Sequence, residues 1–147
     1  MRWFDHGIHQ ALPGVVGLGV DLVETDRMKE SIAKWGDRFT RKVFADTERS
    51  YCDSRPEPWR HYAGRFAVKE AVSKAFGTGI GKHLGWLDII VLRSRETGAP
   101  YVEFSREGRI WTTQRNITRV LVSLSHTRRY AMAQAIVIGR EPGAGAS

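Results

Sequence analysis

The chain changes its hydrophobic period once, about halfway along. After residues 1–13, which show no clean period, comes Val15-Val16-Gly17-Leu18-Gly19-Val20-Asp21-Leu22-Val23. This β-branched, glycine-interrupted run predicts a buried strand. Thr25 or Asp26 suits the cap of a helix over about 26–35, Gly36 ends it, and shorter helical pieces follow through 37–53. Pro56 and Pro58 mark a break. The strongest helical pattern then runs over 59–76, interrupted only by Gly64 and closed by Gly77. Beyond it the period shortens to two. Residues 87–92 and 101–104 read as strands paired through the Gly98-Ala99-Pro100 turn signal, and 106–115 as a short basic helix. Residues 120–124 and 130–138 read as two further strands joined at Ser125-His126-Thr127-Arg128-Arg129. The order predicts an α+β domain over 14–139 with a mostly antiparallel sheet, preceded by an extension and followed by a frayed tail at 140–147.

Several polar residues interrupt this pattern. Asp21 puts a carboxylate inside Gly-Val-Asp-Leu-Val, where it needs a cation or donors beside it. Capping the next helix, pairing with a structural arginine and holding a metal all remain open for it. On the 59–76 helix, Trp59, Ala63, Phe66 and Ala67 form an expected core-facing stripe, and Glu70 continues it with Lys74 four residues further on. Such a pair is either an i,i+4 surface ion pair or the floor of a polar site. Asp21 and Glu70 together would suit Mg²⁺, a hard cation that also holds phosphate oxygens. Arg65 and Lys69 would add positive charge nearby.

Glycine-rich stretches need the same weighing. Gly77-Thr78-Gly79-Ile80-Gly81-Lys82 resembles a phosphate loop, yet Phe76 and His83 stand where a Walker A sequence needs Gly and Ser or Thr. Gly17-Leu18-Gly19 likewise lacks the third glycine of a dinucleotide fingerprint, because position 22 is Leu. Either helix termination or a phosphate cradle is open to Gly77, Thr78, Gly79 and Gly81. Ser125, His126 and Thr127 end an apolar strand, which fits a phosphate contact or a plain turn. No Gly-x-Ser-x-Gly elbow is present, and the histidines show no paired zinc spacing. Arg27, Lys34, Arg38 and Arg41 recur at 7, 4 and 3 residues, an approximate basic ridge broken at Gly36.

Composition narrows the class. At 147 residues a single domain is expected, and Lys plus Arg at 23 against Asp plus Glu at 16 leaves a net charge of +7. Cys52 is alone, so no internal disulfide forms and a reducing, cytoplasmic setting is expected. No run approaches the roughly 18 apolar residues of a membrane span. Asp5, His6, His9 and Gln10 stand where a signal peptide needs an apolar stretch. Such a charge suits nucleic acid, an anionic membrane, a phosphorylated small molecule or an acidic protein. A nucleic-acid module would leave Asp21 and Glu70 unexplained and shows neither zinc-finger spacing nor an aromatic RNP-type strand.

Three blocks carry a resemblance: Gly17-Leu18-Gly19-Val20-Asp21, the continuous run from Gly64-Arg65-Phe66-Ala67-Val68-Lys69-Glu70 to Gly81, and Val122-Ser123-Leu124-Ser125-His126-Thr127. In this order they resemble the holo-[acyl-carrier-protein] synthase family, the small 4′-phosphopantetheinyl transferases, over about 15–138. The resemblance implies an antiparallel sheet wrapped around a long helix. It also implies transfer of phosphopantetheine from coenzyme A to a serine of an acyl carrier protein, releasing adenosine 3′,5′-bisphosphate. It further implies that Asp21 and Glu70 hold Mg²⁺, with Glu70 activating the serine and Lys74 serving the leaving phosphate. Arg65, the 77–81 loop, Ser125, His126 and Thr127 would hold coenzyme A. Arg27, Lys34, Arg38 and Arg41 would dock the acidic carrier, and the chain would form a homotrimer with shared sites. The N-terminal extension and the 105–116 segment, with Trp111, Gln114 and Arg115, depart from the family pattern.

Overall fold

A computed structural model describes residues 13–140; of the N-terminal extension and the tail, only Pro13 and Arg140 fall among the described residues. The elements run β1 (Gly14–Glu24), α1 (Thr25–Trp35), α2 (Asp37–Val43), α3 (Asp46–Asp53), α4 (Pro58–Ala75), β2 (Ile89–Arg93), β3 (Pro100–Phe104), α5 (Arg106–Gln114), β4 (Ile117–His126) and β5 (Tyr130–Gly139). All strand pairings are antiparallel, but they make two sheets: a three-stranded one in the order β1-β5-β4, and a hairpin of β2 and β3.

Helix α4 is the axle. Pro58 opens it at a position where no backbone N–H is needed. Its Ala63, Ala67, Val68, Ala71 and Val72 are fully buried. The expected single apolar stripe is therefore replaced by burial on nearly every side, because β1, β4 and β5 lie against it together with α1, α3 and β2. Two clusters share it. One joins Ala67, Val68, Ala71 and Val72 to Ala133, Ala135 and Val137 of β5; the other joins Tyr62 and Ala63 to Met28, Phe44 and Cys52. The strip left less buried carries Phe66, Glu70 and Lys74. Glu70 thus lies on the open edge of the helix, a correction to the inward stripe.

Strand β1 contacts α4 unusually closely. A Cβ on Gly17 would overlap the Ala75 carbonyl oxygen, and one on Gly19 the Ala71 carbonyl oxygen. The two glycines that fail the dinucleotide fingerprint are packing devices. With period two, Gly17, Gly19, Asp21 and Val23 share the α4 face, while Leu18, Val20 and Leu22 point away. The latter are 68%, 51% and 62% exposed, so the strand expected to be buried is buried on one face only.

Local boundaries also shift. Neither Thr25 nor Asp26 caps α1: Thr25 is its first residue, and its hydroxyl donates to the Arg128 carbonyl, tying the helix to the β4–β5 turn. The strand expected from 87 begins at Ile89, because Trp86–Asp88 form a 3₁₀ turn in which Asp88 accepts from the Gly85 N–H and the Ser105 hydroxyl. Strand β4 is longer than expected because it pairs with β5 along its length, and takes in Ser125 and His126. No helix among the described residues is long and apolar enough to cross a membrane.

Candidate active site

The Gly17 and Gly19 contacts deliver Asp21 to the last turns of α4. There the Lys74 ammonium donates to Asp21 Oδ1 at 2.8 Å and to the Val20 carbonyl at 3.2 Å. Glu70, one turn back, faces the same region. Burial pushes its carboxyl above the ordinary value and the Asp21 charge adds to this, with Lys74 opposing. Lys74 is itself held above its ordinary value, chiefly by the hydrogen bond to Asp21. Asp21 and Glu70 line one hollow of about 470 Å³ with Arg27, Met28, Ser31, Phe39 and Phe66. Among the described residues no group of three or more His, Cys, Asp or Glu side chains could hold a metal ion. Asp21 and Glu70 supply two carboxylates, the oxygen donors that a hard ion takes when water or substrate oxygen completes its shell.

A second, strongly cationic region lies apart from the first. Arg65, only 6% exposed, stacks its guanidinium 4.1 Å from the Tyr51 ring centroid. Tyr51 accepts from Arg93 at 2.7 Å and also faces Arg55. Burial alone would raise the Tyr51 phenol, but the Arg93 hydrogen bond and the Arg93, Arg55 and Arg65 charges bring it below its ordinary value. The hollow here, about 640 Å³, is lined by Tyr51, Arg55, Arg65, Arg93 and Arg95. Tyr51 also meets the His61 ring at 5.8 Å, and His61 meets His126 at 6.1 Å. Arg65 and His126 are thus linked through two aromatic rings. Sequence reasoning missed Tyr51, Arg55, His61 and Arg93; the only available signal was His61 standing four residues before Arg65.

Other expected contributors fall elsewhere. Lys69 is fully buried and donates to Glu48 at 2.7 Å and to the carbonyls of Trp86 and Ile89 at 2.9 and 2.7 Å. Glu48 also accepts from the backbone N–H groups of Ala45 and Val91. Lys69 is a clasp between α3, α4 and β2, not a surface charge beside the site. Gly77, Gly79 and Gly81 have φ of 76°, 67° and 116°, so the loop after α4 needs glycine, and Thr78 lines a third hollow with Phe76, His83, Trp111 and Arg115. Ser125 and His126 are exposed on β4, whereas the Thr127 hydroxyl accepts from the Arg129 and Tyr130 N–H groups within the turn. Arg27 borders the carboxylate hollow, and Lys34, Arg38 and Arg41 are exposed beyond it, with the ridge broken at Gly36. One copy of the chain therefore brings Asp21, Glu70, Lys74 and Arg27 together, while Arg65 lines the other hollow and His126 meets His61 beside Tyr51.

Comparisons with known proteins agree with this architecture. The model of the 4′-phosphopantetheinyl transferase superfamily matches residues 17–135. The holo-[acyl-carrier-protein] synthase of Ruminiclostridium cellulolyticum is 45% identical over 121 residues, covering 82% of this chain and 90% of that one. Among solved structures, the synthase from Neisseria meningitidis superposes with a TM-score of 0.79 at 27% identity, covering 84% of this chain and 98% of the other. The Helicobacter pylori synthase in complex with coenzyme A gives 0.72 at 32% identity, with coverage of 82% and 98%. The chain belongs to the 4′-phosphopantetheinyl transferase superfamily, and the relatives it matches over most of its length are holo-[acyl-carrier-protein] synthases.

Proposed function

We propose that the chain moves 4′-phosphopantetheine from coenzyme A to a serine of an apo acyl carrier protein, releasing adenosine 3′,5′-bisphosphate. The observation that carries this is the Asp21–Glu70–Lys74 group: two carboxylates and an ammonium on adjoining elements, beside a hollow that opens onto Arg27. Asp21 and Glu70 would hold Mg²⁺, which when bound supplies positive charge to the pyrophosphate of coenzyme A. Glu70, biased toward protonation by burial and by Asp21, takes the proton as the serine oxygen bonds to the pantetheine-side phosphorus. The Lys74 ammonium balances charge on the phosphate that departs with the nucleotide. Arg65, with Tyr51, His61 and His126, suits the nucleotide's phosphates, and the 77–81 loop would lie along the same ligand. Arg27 with Lys34, Arg38 and Arg41 would face the acidic carrier, an attraction that weakens with salt.

The working unit is a homotrimer in this reading. Its support is the uncovered apolar face of the three-stranded sheet, where Leu18, Val20, Leu22, Tyr130 and Met132 stand exposed. Sharing a site between copies would also bring a neighbour's Arg65 region to the carboxylate group. The single Cys52 thiol, buried and pushed up to about 12, suits a reducing cytoplasm.

Incubation with coenzyme A, Mg²⁺ and a panel of apo carrier proteins, followed by intact-mass measurement, tests the reaction. The expected result is a phosphopantetheine mass gain on at least one carrier, abolished by a chelator. A panel left unmodified, with the protein folded, rules the transferase reading out.

A further inference from the structure

The Asp21 carboxylate already carries a cation in this structure. Lys74 reaches across from α4 to hold Asp21 Oδ1 at 2.8 Å and the Val20 carbonyl at 3.2 Å, using two of its three N–H donors. The Asp21 side chain is 14% exposed, so it would otherwise be a largely desolvated charge beside a second carboxylate. Glu70 has no ion-pair partner among the described residues, leaving two carboxylates and one ammonium with a net charge of −1. Lys74 is half exposed, on a flexible four-carbon stem, and can swing away without unpacking α4.

We propose that Lys74 is a placeholder for the divalent ion, occupying Asp21 until the ion arrives and displaced by it into position for the leaving phosphate. This rests on the carboxylate pair being the ion site, as in the proposed function. The two cations compete for one oxygen, because a small divalent ion binds carboxylate oxygen at about 2.0–2.1 Å and repels an ammonium held on the same group. Displacement would couple two events. The ammonium becomes available to phosphate only in a chain whose ion site is filled, so an ion-free enzyme meeting coenzyme A keeps its lysine engaged.

The test measures ion binding and the state of the lysine, neither of which needs turnover. Mn²⁺ affinity is read from the free-ion paramagnetic resonance signal in about 0.15 M salt, where long-range charge effects are damped. Lys74→Gln is expected to bind Mn²⁺ about fivefold more tightly than the unaltered chain, the scale of a partly exposed ion pair. Lys82→Gln makes the same charge change at an exposed lysine of the glycine loop, and is expected to stay within about twofold. In parallel, the unaltered chain is treated with an acetylating reagent with and without Mg²⁺, and labelling at Lys74 is followed by peptide mass spectrometry. Labelling is expected to rise severalfold with Mg²⁺, while the buried Lys69 stays unlabelled.

Both results together establish the placeholder. Intact ion binding with no tightening in Lys74→Gln, or with unchanged Lys74 labelling, overturns it and leaves the transferase reading in place. Failure of the unaltered chain to bind either ion overturns the placeholder and the ion site at once. The labelling arm uses the unaltered chain, so the proposal stays open to refutation even if Lys74→Gln fails to fold.

Discussion

Burial and the Asp21 charge both push the Glu70 carboxyl upward, and Lys74 only partly offsets them. An amide keeps the size and loses both the basicity and the charge. Glu70→Gln should lower transfer by about 10²–10⁴-fold while the thermal midpoint holds or rises, checked by steady-state kinetics and a melting curve. An unchanged rate would remove Glu70 from the chemistry. His61 yields a different kind of expectation. Its imidazole is depressed first by burial and then by Arg65, His126, Arg55 and Arg60. The unfolded chain therefore takes up a proton at His61 before the folded one does. Stability from this group is lost as pH falls below the ordinary value of 6.5 toward the lowered folded value. His61→Gln should flatten the decline in unfolding free energy across that window, measured by denaturant melts at stepped pH. An identical slope in the variant would show that the histidine titrates alike in both states.

The contact between β1 and α4 decides where the carboxylates stand. Ala71 and Ala75 offer their backbone to Gly17 and Gly19, and the alternation of β1 then turns Asp21 toward α4 two residues later. Gly19→Ala forces the strand outward. It should cost about 1–3 kcal/mol and carry Asp21 away from Glu70, so ion affinity falls along with the melting temperature. A stable variant with normal ion affinity would show that the strand relaxes freely. This contact also marks what could be read in advance. The strand, the long helix and the α+β class were legible because period-two and period-3.6 patterns are written in local residue choice, and Asp21 stood out as a charge among apolar neighbours, whereas Glu70, expected on an inward stripe, lies on the open edge of α4. The clasp of Lys69 and Glu48 was not, since Thr47-Glu48-Arg49 reads as surface and its burial arises only when β2 closes over α3. Nor was the Tyr51–His61–His126 chain, whose members come from three separate elements.

At the scale of the whole molecule, one chain leaves two things unfinished: an apolar sheet face in water, and a carboxylate group parted from the arginines that suit a nucleotide's phosphates. The proposed assembly through the Leu18, Val20, Leu22 and Met132 face would address the first, and a shared site the second. The two can be tested together with variants that are inactive for different reasons. In the proposed reaction Glu70→Gln would lose the base and Arg65→Ala a phosphate contact, so each alone should transfer poorly. If the chain forms the proposed trimer, then with equal co-expression and random assembly some junctions would pair an intact Glu70 on one copy with an intact Arg65 on its neighbour. Random assembly makes about a quarter of the junctions competent, so the mixture should regain about a quarter of normal activity. A site contained in one chain predicts no recovery, because every chain in the mixture carries one lesion. Adding Leu18→Lys and Met132→Lys to both variants should yield monomers by light scattering and abolish the recovery, which ties the regained activity to the sheet face itself.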